Sequence, residues 1–250
     1  MRIHCIEMKQ TNWKIQRPEY LLPSNHTDVW LIDLRRLKAE DWIFLASNLR
    51  EDELEKSRSC TDESERQRFI AARAVLRQLL STYQNIPARE LVLRSDPNRN
   101  PYLENADIAF NFAYQGNKVL LAFRRQHPEL RIGVYLEKMM PGYGGRSISG
   151  HYQTPAEGVS QVPVSNTGSI FEYRARRGAL LQATGLGRVD EMVARELGPS
   201  MNRGRTEGIS PSFGKGPYYI YSFGLDQHYV GSLAMEGMHG VLRFYQWMAR

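Results

Sequence analysis

The pattern of hydrophobic and polar positions is clearest after Asp62, where it predicts a long amphipathic helix. One apolar stripe recurs at spacings of three and four residues: Phe69, Ala72, Leu76, Leu79 and Tyr83. Such spacing places side chains on one face of an α-helix. Asp62 and Glu65 form a capping-box-like pair at its start, and Pro87 ends it. We therefore expect one long helix whose stripe packs against a core.

Short apolar runs predict strands on both sides of this helix. They lie at 29–34, 91–93, 108–112, 118–123, 131–137, 218–223 and 229–235. Further helices are predicted at 169–184 and at 188–196. A helix with strands is thus followed by helices with strands. This order of elements predicts an α/β (α+β) fold of two similar units side by side.

The chain divides into three segments on this basis. Residues 1–27 are predicted to be an irregular lead-in. Residues 28–138 form the expected N-terminal lobe, and residues 139–250 form the expected C-terminal lobe. Two Gly-rich stretches of the second lobe, 139–150 and 198–216, lack periodicity and are expected to be loops.

Composition indicates the class of protein and the kind of partner. Of the 250 residues, 42% are hydrophobic and 24% are charged, as in ordinary globular proteins. No apolar run is long enough to span a bilayer, and the start lacks the apolar core of a signal peptide, so we expect a cytoplasmic protein without a membrane partner. The net charge of +6 favours an anionic partner, which could be a nucleotide cofactor, an acidic protein or nucleic acid. Nucleic acid is disfavoured because the chain has neither zinc-finger spacing nor a basic run interleaved with aromatic residues.

Seven sequence blocks, taken in order, resemble those of a known family. They are Trp30–Leu34, Arg68–Leu80, Pro101–Leu103, Phe110–Phe112, Gly133–Glu137, Arg176–Gly187 and Tyr229–Ala234. Each block alone is a weak signal. In this order and spacing, over residues 28–236, the chain resembles the Sfp-type 4′-phosphopantetheinyl transferases.

The resemblance implies a fold, a substrate and a partner. The expected fold is a pseudo-twofold pair of lobes, each an antiparallel sheet packed on a long helix. Proteins of this family bind coenzyme A (CoA) between the lobes and move its phosphopantetheine arm onto a serine of an acyl or peptidyl carrier protein. Mg²⁺ held by carboxylates bridges the pyrophosphate, because the breaking bond carries much negative charge. A glutamate or a water molecule accepts the serine proton.

The positions that correspond to the family's metal site hold other residue types here. Where the family's strand supplies two carboxylates, this chain has Tyr135 and Glu137. Where the family's helix supplies a third carboxylate after a lysine, this chain has Gly178 after Arg177. A neutral phenol is a poor magnesium ligand, and glycine has no side chain. The sequence therefore predicts no metal site, with Glu137 as the one residual ligand if Mg²⁺ binds.

The nucleotide-binding positions are altered in part. Tyr114 stands where the family has a histidine, and Arg99 adjoins the position of a missing lysine. Arg73 and Arg77 match basic positions of the family's helix, where a nucleotide phosphate can be met. The resemblance thus implies binding of a phosphopantetheine or CoA group, with little support for Mg²⁺.

Candidate residues follow from these matches. The candidate catalytic groups are Glu137, Tyr114, Tyr135 and Arg177, and the candidate cofactor-binding groups are Arg73, Arg77 and Arg99. Each has a plainer interpretation. Glu137 could be a solvated strand-end carboxylate, the tyrosines could fill space, and the arginines could be solvated helix faces.

Three functions stay open on the sequence. The first is an enzyme that keeps the transferase cleft and performs metal-independent chemistry, such as cyclisation or condensation, on carrier-tethered or CoA-linked chains. The second is a non-catalytic module that binds a carrier protein. The third is an active transferase with an unusual metal site, in which a loop residue such as Glu172 substitutes for a missing carboxylate. We favour a diverged protein whose ordinary transfer is weak or lost, and the sequence gives no oligomeric state.

Overall fold

The computed structural model describes most of the chain. The described residues are 2–8, 11–15, 21–96, 99–104, 106–125, 131–139, 152–154, 157–160, 167–186, 197, 216–237 and 240–249. The predicted helix at 188–196 and nearly all of the predicted loops 139–150 and 198–216 lie outside these ranges. In the part that is described, no helix is both long enough and apolar enough to cross a membrane.

The described residues form helices, strands and one 3-10 turn. The helices are α1 (Ala39–Ser47), α2 (Glu51–Ser59), α3 (Glu63–Gln84) and α4 (Thr167–Thr184), and the 3-10 turn is Leu34–Arg36. The strands are β1 (Ile3–Met8), β2 (Lys14–Ile15), β3 (His26–Asp33), β4 (Leu93–Asp96), β5 (Arg99–Leu103), β6 (Ile108–Gln115), β7 (Lys118–Arg125), β8 (Ile132–Lys138), β9 (Tyr152–Thr154), β10 (Glu157–Ser160), β11 (Tyr218–Asp226), β12 (Tyr229–Glu236) and β13 (Val241–Gln246).

Two larger sheets carry the fold. The first sheet has five strands in the order β2-β13-β3-β7-β6, and the second has four in the order β1-β11-β12-β8. The pairs β3–β7, β6–β7, β11–β12 and β8–β12 are antiparallel, whereas β1 and β13 pair in parallel with their neighbours. β4–β5 and β9–β10 form separate small hairpins.

The elements stack in four layers because strands of the first sheet are apolar on both faces. In β7, Leu121 and Phe123 join the core under α3, whereas Leu120 and Ala122 join the core between the two sheets. One face of the second sheet packs against the first sheet through side chains such as Leu233. Its other face packs against α4. The order is therefore α3, first sheet, second sheet, α4.

The strand order confirms the predicted fold class. The first lobe has the antiparallel order β3-β7-β6 packed on α3, and the second has β8-β12-β11 packed on α4. In each lobe the last strand along the chain lies between the other two. The protein is thus a mixed α+β structure built from two similar units.

Helix α3 follows the pattern that predicted it. The Asp62 carboxylate accepts a hydrogen bond from the Ser64 backbone N–H at 2.8 Å and so caps the first turn. The helix ends at Asn85, which has a left-handed φ of 54°. Ala72, Leu76 and other members of its stripe are buried.

The chain termini correct one prediction. Residues 1–27 were expected to be irregular, but Ile3–Met8 forms β1 on the edge of the second sheet, in parallel with β11. At the other end, Val241–Gln246 forms β13 within the first sheet, in parallel with β3. Each terminal strand therefore completes the sheet of the lobe that is more distant in sequence. The proposed lobe boundaries at residues 28, 138 and 139 otherwise stay a prediction.

Candidate site between β8 and α4

The candidate site lies where β8 packs against α4. Gly133 permits a very close approach, because a Cβ atom there would lie 2.2 Å from the Ala179 carbonyl oxygen and 2.4 Å from the Ala183 nitrogen. Side chains alternate along a strand, so Tyr135 and Glu137 face the helix as Gly133 does. The structure therefore brings these two candidate residues to the same helix.

Tyr135 and Gly178 are in direct contact. A Cβ atom on Gly178 would lie 2.3 Å from Cγ of Tyr135 and 2.4 Å from its Cδ2. The phenol ring thus rests on the bare backbone of α4, where a side chain at position 178 would otherwise be. Burial raises the pKa of Tyr135 and the nearby Glu137 carboxylate raises it further, while Arg174 and Arg177 act in the opposite direction. The phenol is therefore protonated at neutral pH.

Glu137 on β8 forms an ion pair with Arg174 on α4. Nη1 of Arg174 donates to Oε1 of Glu137 at 3.3 Å, and the glutamate side chain is only 12% exposed. Burial raises the pKa of Glu137, and the charge and hydrogen bond of Arg174 partly offset that effect. The sequence had not singled out Arg174 as a partner of Glu137. The contact joins β8 to a helix 37 residues later, so no local pattern indicates it.

The side chains between β8 and α4 do not fit Mg²⁺. The ion needs oxygen ligands in octahedral geometry, and proteins supply carboxylates. The described residues here offer one carboxylate, Glu137, which is already ion-paired, and a neutral phenol from Tyr135. Across the described part of the chain, no group of three or more His, Cys, Asp or Glu side chains is placed to hold a metal ion.

Glu172 does not lie where the sequence interpretation needed it. It is part of α4 and not of a loop, and it pairs with Arg176 one turn later at 3.4 Å. Burial raises the pKa of Glu172, Arg176 lowers it, and Glu7 on β1 raises it. Because β11 and β12 separate β1 from β8, Glu172 lies toward the opposite edge of the sheet from Glu137. Glu172 is therefore not a substitute metal ligand at the candidate site.

Arg77 is buried, where it contacts α2 and the segment that follows α3. It is 2% exposed, and its guanidinium donates to the Glu53 carboxylate and to the carbonyl oxygens of Ala88 and Leu91 at 2.8 and 2.9 Å. Arg73 binds the same carboxylate at 2.6 Å. These arginines tie α3 to α2, and the phosphate contacts implied by the resemblance stay a prediction.

The candidates Tyr114 and Arg99 lie on two other strands, β6 and β5. Tyr114 lies on β6, is 38% exposed and stacks on Phe112 with ring centroids 6.5 Å apart. Its strand runs beside β8, where the Lys138 backbone N–H donates to Oε1 of Gln115 at 3.1 Å. Tyr114 and Tyr135 thus have different neighbours, and a pocket lined by both stays a prediction. Arg99 lies in β5, and its side chain is outside the described residues.

The sequence pattern does not indicate a row of buried polar side chains that lies under α4. Arg176 is 1% exposed, and its Nε donates to Oγ of Ser222 at 2.8 Å. Ser222 in turn meets Oγ of Ser232 at 3.1 Å, and Ser232 is the direct cross-strand neighbour of Tyr135. Arg176 therefore fixes the helix on the sheet beside the candidate site. Among the many arginines of the chain, no spacing distinguishes it.

Comparison with known proteins agrees with the sequence resemblance. No family model matches the chain. Over 189 residues the chain is 27% identical to HetI of Nostoc sp. (strain PCC 7120 / SAG 25.82 / UTEX 2576), a 4′-phosphopantetheinyl transferase. The chain is similar to a phosphopantetheinyl transferase. The similarity covers 72% of this chain and 77% of HetI, so it extends across both lobes and supports a function of this type at the level of the family.

Proposed function

We propose that the protein is a diverged phosphopantetheinyl-transferase-like protein that binds CoA or a carrier-tethered chain and has weak or no Mg²⁺-dependent transfer. The observation that carries the proposal is the donor set between β8 and α4. Its one carboxylate, Glu137, is paired with Arg174 at 3.3 Å. The likeness to HetI supports the choice of family.

The chemistry of the transfer explains why this donor set matters. Breaking a pyrophosphate bond needs positive charge where negative charge develops, and a hard dication supplies most of it. A single carboxylate that already balances an arginine would hold such a dication poorly. We therefore propose that cationic side chains of the protein, and not a metal ion, supply the positive charge beside Glu137 at the β8–α4 site.

The charge of the protein supports a carrier-protein partner. Its net charge is +6, and carrier proteins of the kind implied by the resemblance are acidic. Complementary charge accelerates encounter and favours the correct partner. An acyl or peptidyl carrier protein is therefore the partner that we propose, in biosynthesis of the polyketide, nonribosomal-peptide or fatty-acid type.

Glu137 favours a metal-independent enzyme as the form of this function. Burial raises the pKa of its carboxylate, although Arg174 partly offsets this, and a carboxylate with a raised pKa is a better general base. In cyclisation or condensation of a tethered chain, Glu137 would accept a proton at a carboxylate oxygen, and Arg177 would stabilise an oxyanion. The alternative is a carrier-binding module without catalysis.

Intact-protein mass spectrometry tests the proposal. Apo-acyl carrier protein is incubated with CoA, Mg²⁺ and either this protein or HetI as the positive control. We expect HetI to add a phosphopantetheine group and this protein to add little or none, while calorimetry still detects carrier-protein binding. Mass gain at a rate comparable to that of HetI would refute the loss of transfer. Absence of binding to both CoA and carrier protein would refute the proposed ligands.

A further inference from the structure

We propose that Tyr135 and Gly178 act as one interlocking unit, which closes the space between β8 and α4 to a divalent cation. The two residues are far apart in sequence and belong to different elements. However, the ring of Tyr135 fills the space that a side chain at position 178 would need, so the two departures from the family's residue types depend on each other. The meaning of this unit for catalysis rests on the proposed function, but its existence does not.

The contact is too close to be incidental. A Cβ atom at position 178 would meet three atoms of the Tyr135 ring at 2.3, 2.4 and 2.7 Å, below the 3.0 Å limit that real Cβ atoms respect. These atoms are Cγ, Cδ2 and Cδ1, at the base of the ring, so a small rotation at the far end of the side chain cannot make room. Any residue with a Cβ at position 178 must therefore displace the ring or the helix.

The helix cannot readily move away from the strand. Directly after Gly178, Ala179 and, about one turn later, Ala183 lie in backbone contact with Gly133, so the helix and the strand are already as close as their backbones allow. On the neighbouring strands, buried Arg176 donates to Ser222, which meets Ser232. Outward movement would break these bonds and leave a buried guanidinium with fewer partners. The ring is consequently held in place from both sides.

Glycine at this position is unfavourable for the helix itself. Gly178 lies in the interior of α4, where alanine stabilises a helix more than glycine does. If Gly178 had no other role, its replacement by alanine should therefore stabilise the protein. The ring contact predicts the opposite sign, and this difference provides the test.

The first experiment is a mutant cycle followed by thermal unfolding. We expect Gly178→Ala to lower Tm by about 3–8 °C in the wild-type background, because overpacking costs more than the helix gains. In a Tyr135→Ala background the same change should raise Tm by about 2–4 °C, because only the helix preference remains. If Gly178→Ala fails to fold, folding of the double variant supports the proposal.

The matched control is Gly133→Ala. Its contacts are backbone atoms of α4, which Tyr135→Ala does not remove, so it should lower Tm in both backgrounds. The proposal is overturned if Gly178→Ala raises Tm in the wild-type background. It is also overturned if Tyr135→Ala fails to reverse the sign, or if the double variant does not fold while Tyr135→Ala does.

The second experiment measures binding of Mn²⁺ by electron paramagnetic resonance, without CoA or carrier protein. Tyr135→Asp removes the ring and adds a carboxylate on the same strand face as Glu137. We expect this variant to bind Mn²⁺ at least tenfold more tightly than the wild type, while Tyr135→Phe, which keeps the ring, binds no better than the wild type. Equal binding by all three proteins would overturn the closure of the site. Neither experiment uses transfer, so failure here is distinct from failure of the proposed function.

Discussion

Replacing Glu53 with glutamine should destabilise the fold and leave ligand binding intact. The Glu53 carboxylate is 4% exposed and receives hydrogen bonds from Arg73 at 2.9 Å and from the still more deeply buried Arg77. The change keeps the shape of the side chain and removes its charge. Removal of one partner from a buried ion pair typically costs about 3–5 kcal/mol. Arg77 keeps its bonds to two carbonyl oxygens, so we expect a loss of about 3 kcal/mol, at the lower end.

Urea unfolding followed by circular dichroism measures this loss. The matched control is Glu55→Gln on the same helix, which is exposed and should change the free energy of unfolding by less than about 0.5 kcal/mol. CoA affinity is measured by calorimetry at a temperature where both variants are folded, and it should stay within twofold of the wild type. A loss below about 1 kcal/mol would refute the structural role. A large fall in CoA affinity with unchanged stability would support the phosphate-binding role that the resemblance implies.

Two further predictions concern pH and the candidate site. Although burial alone would raise it, hydrogen bonds from Arg35 and Lys118 lower the pKa of Asp33 to about 2, against 3.8 in the unfolded chain. Asp33 therefore contributes about 2 kcal/mol above pH 4, and this contribution is lost as the pH falls towards 2. Urea midpoints should show that Asp33→Asn is less stable than the wild type at pH 7 and nearly equal to it at pH 2; an equal deficit at both pH values would contradict the reasoning. The double variant Tyr135→Asp, Gly178→Glu should recover some Mg²⁺-dependent transfer in the mass assay. Gly178→Glu alone should recover none, because its side chain meets the ring of Tyr135. Absence of recovery in the double variant would mean that the cleft is remodelled beyond these two positions.

The sequence predicts those parts of the fold that depend on local pattern. The stripe from Phe69 to Tyr83 predicts α3, and short apolar runs predict most strands of both sheets. Strand β1 was missed because its partner, β11, lies more than two hundred residues away, and because Ile3–Met8 is too mixed in polarity to show a clear alternation. Pairing over such a distance leaves no local signal.

The sequence likewise predicts some features of the candidate site and not others. The resemblance placed Tyr135 and Glu137 on one strand and Gly178 on a helix, and the structure has them there. It could not show that the ring rests on the glycine, since that contact depends on how closely β8 and α4 approach. Arg73 and Arg77 match basic positions of the family's helix, but the sequence does not show that both pair with Glu53, which lies on another helix. A charged residue's role is set by its spatial neighbours, which spacing along the chain does not report.

The most direct test of the central claim is an anomalous difference map from crystals of the wild-type protein soaked with CoA and Mn²⁺. The claim is that the space between β8 and α4 offers one ion-paired carboxylate and a phenol ring instead of a metal site. We predict CoA between the lobes and no manganese peak beside Glu137. An ordered, fully coordinated Mn²⁺ that binds Glu137 in that space would contradict the account.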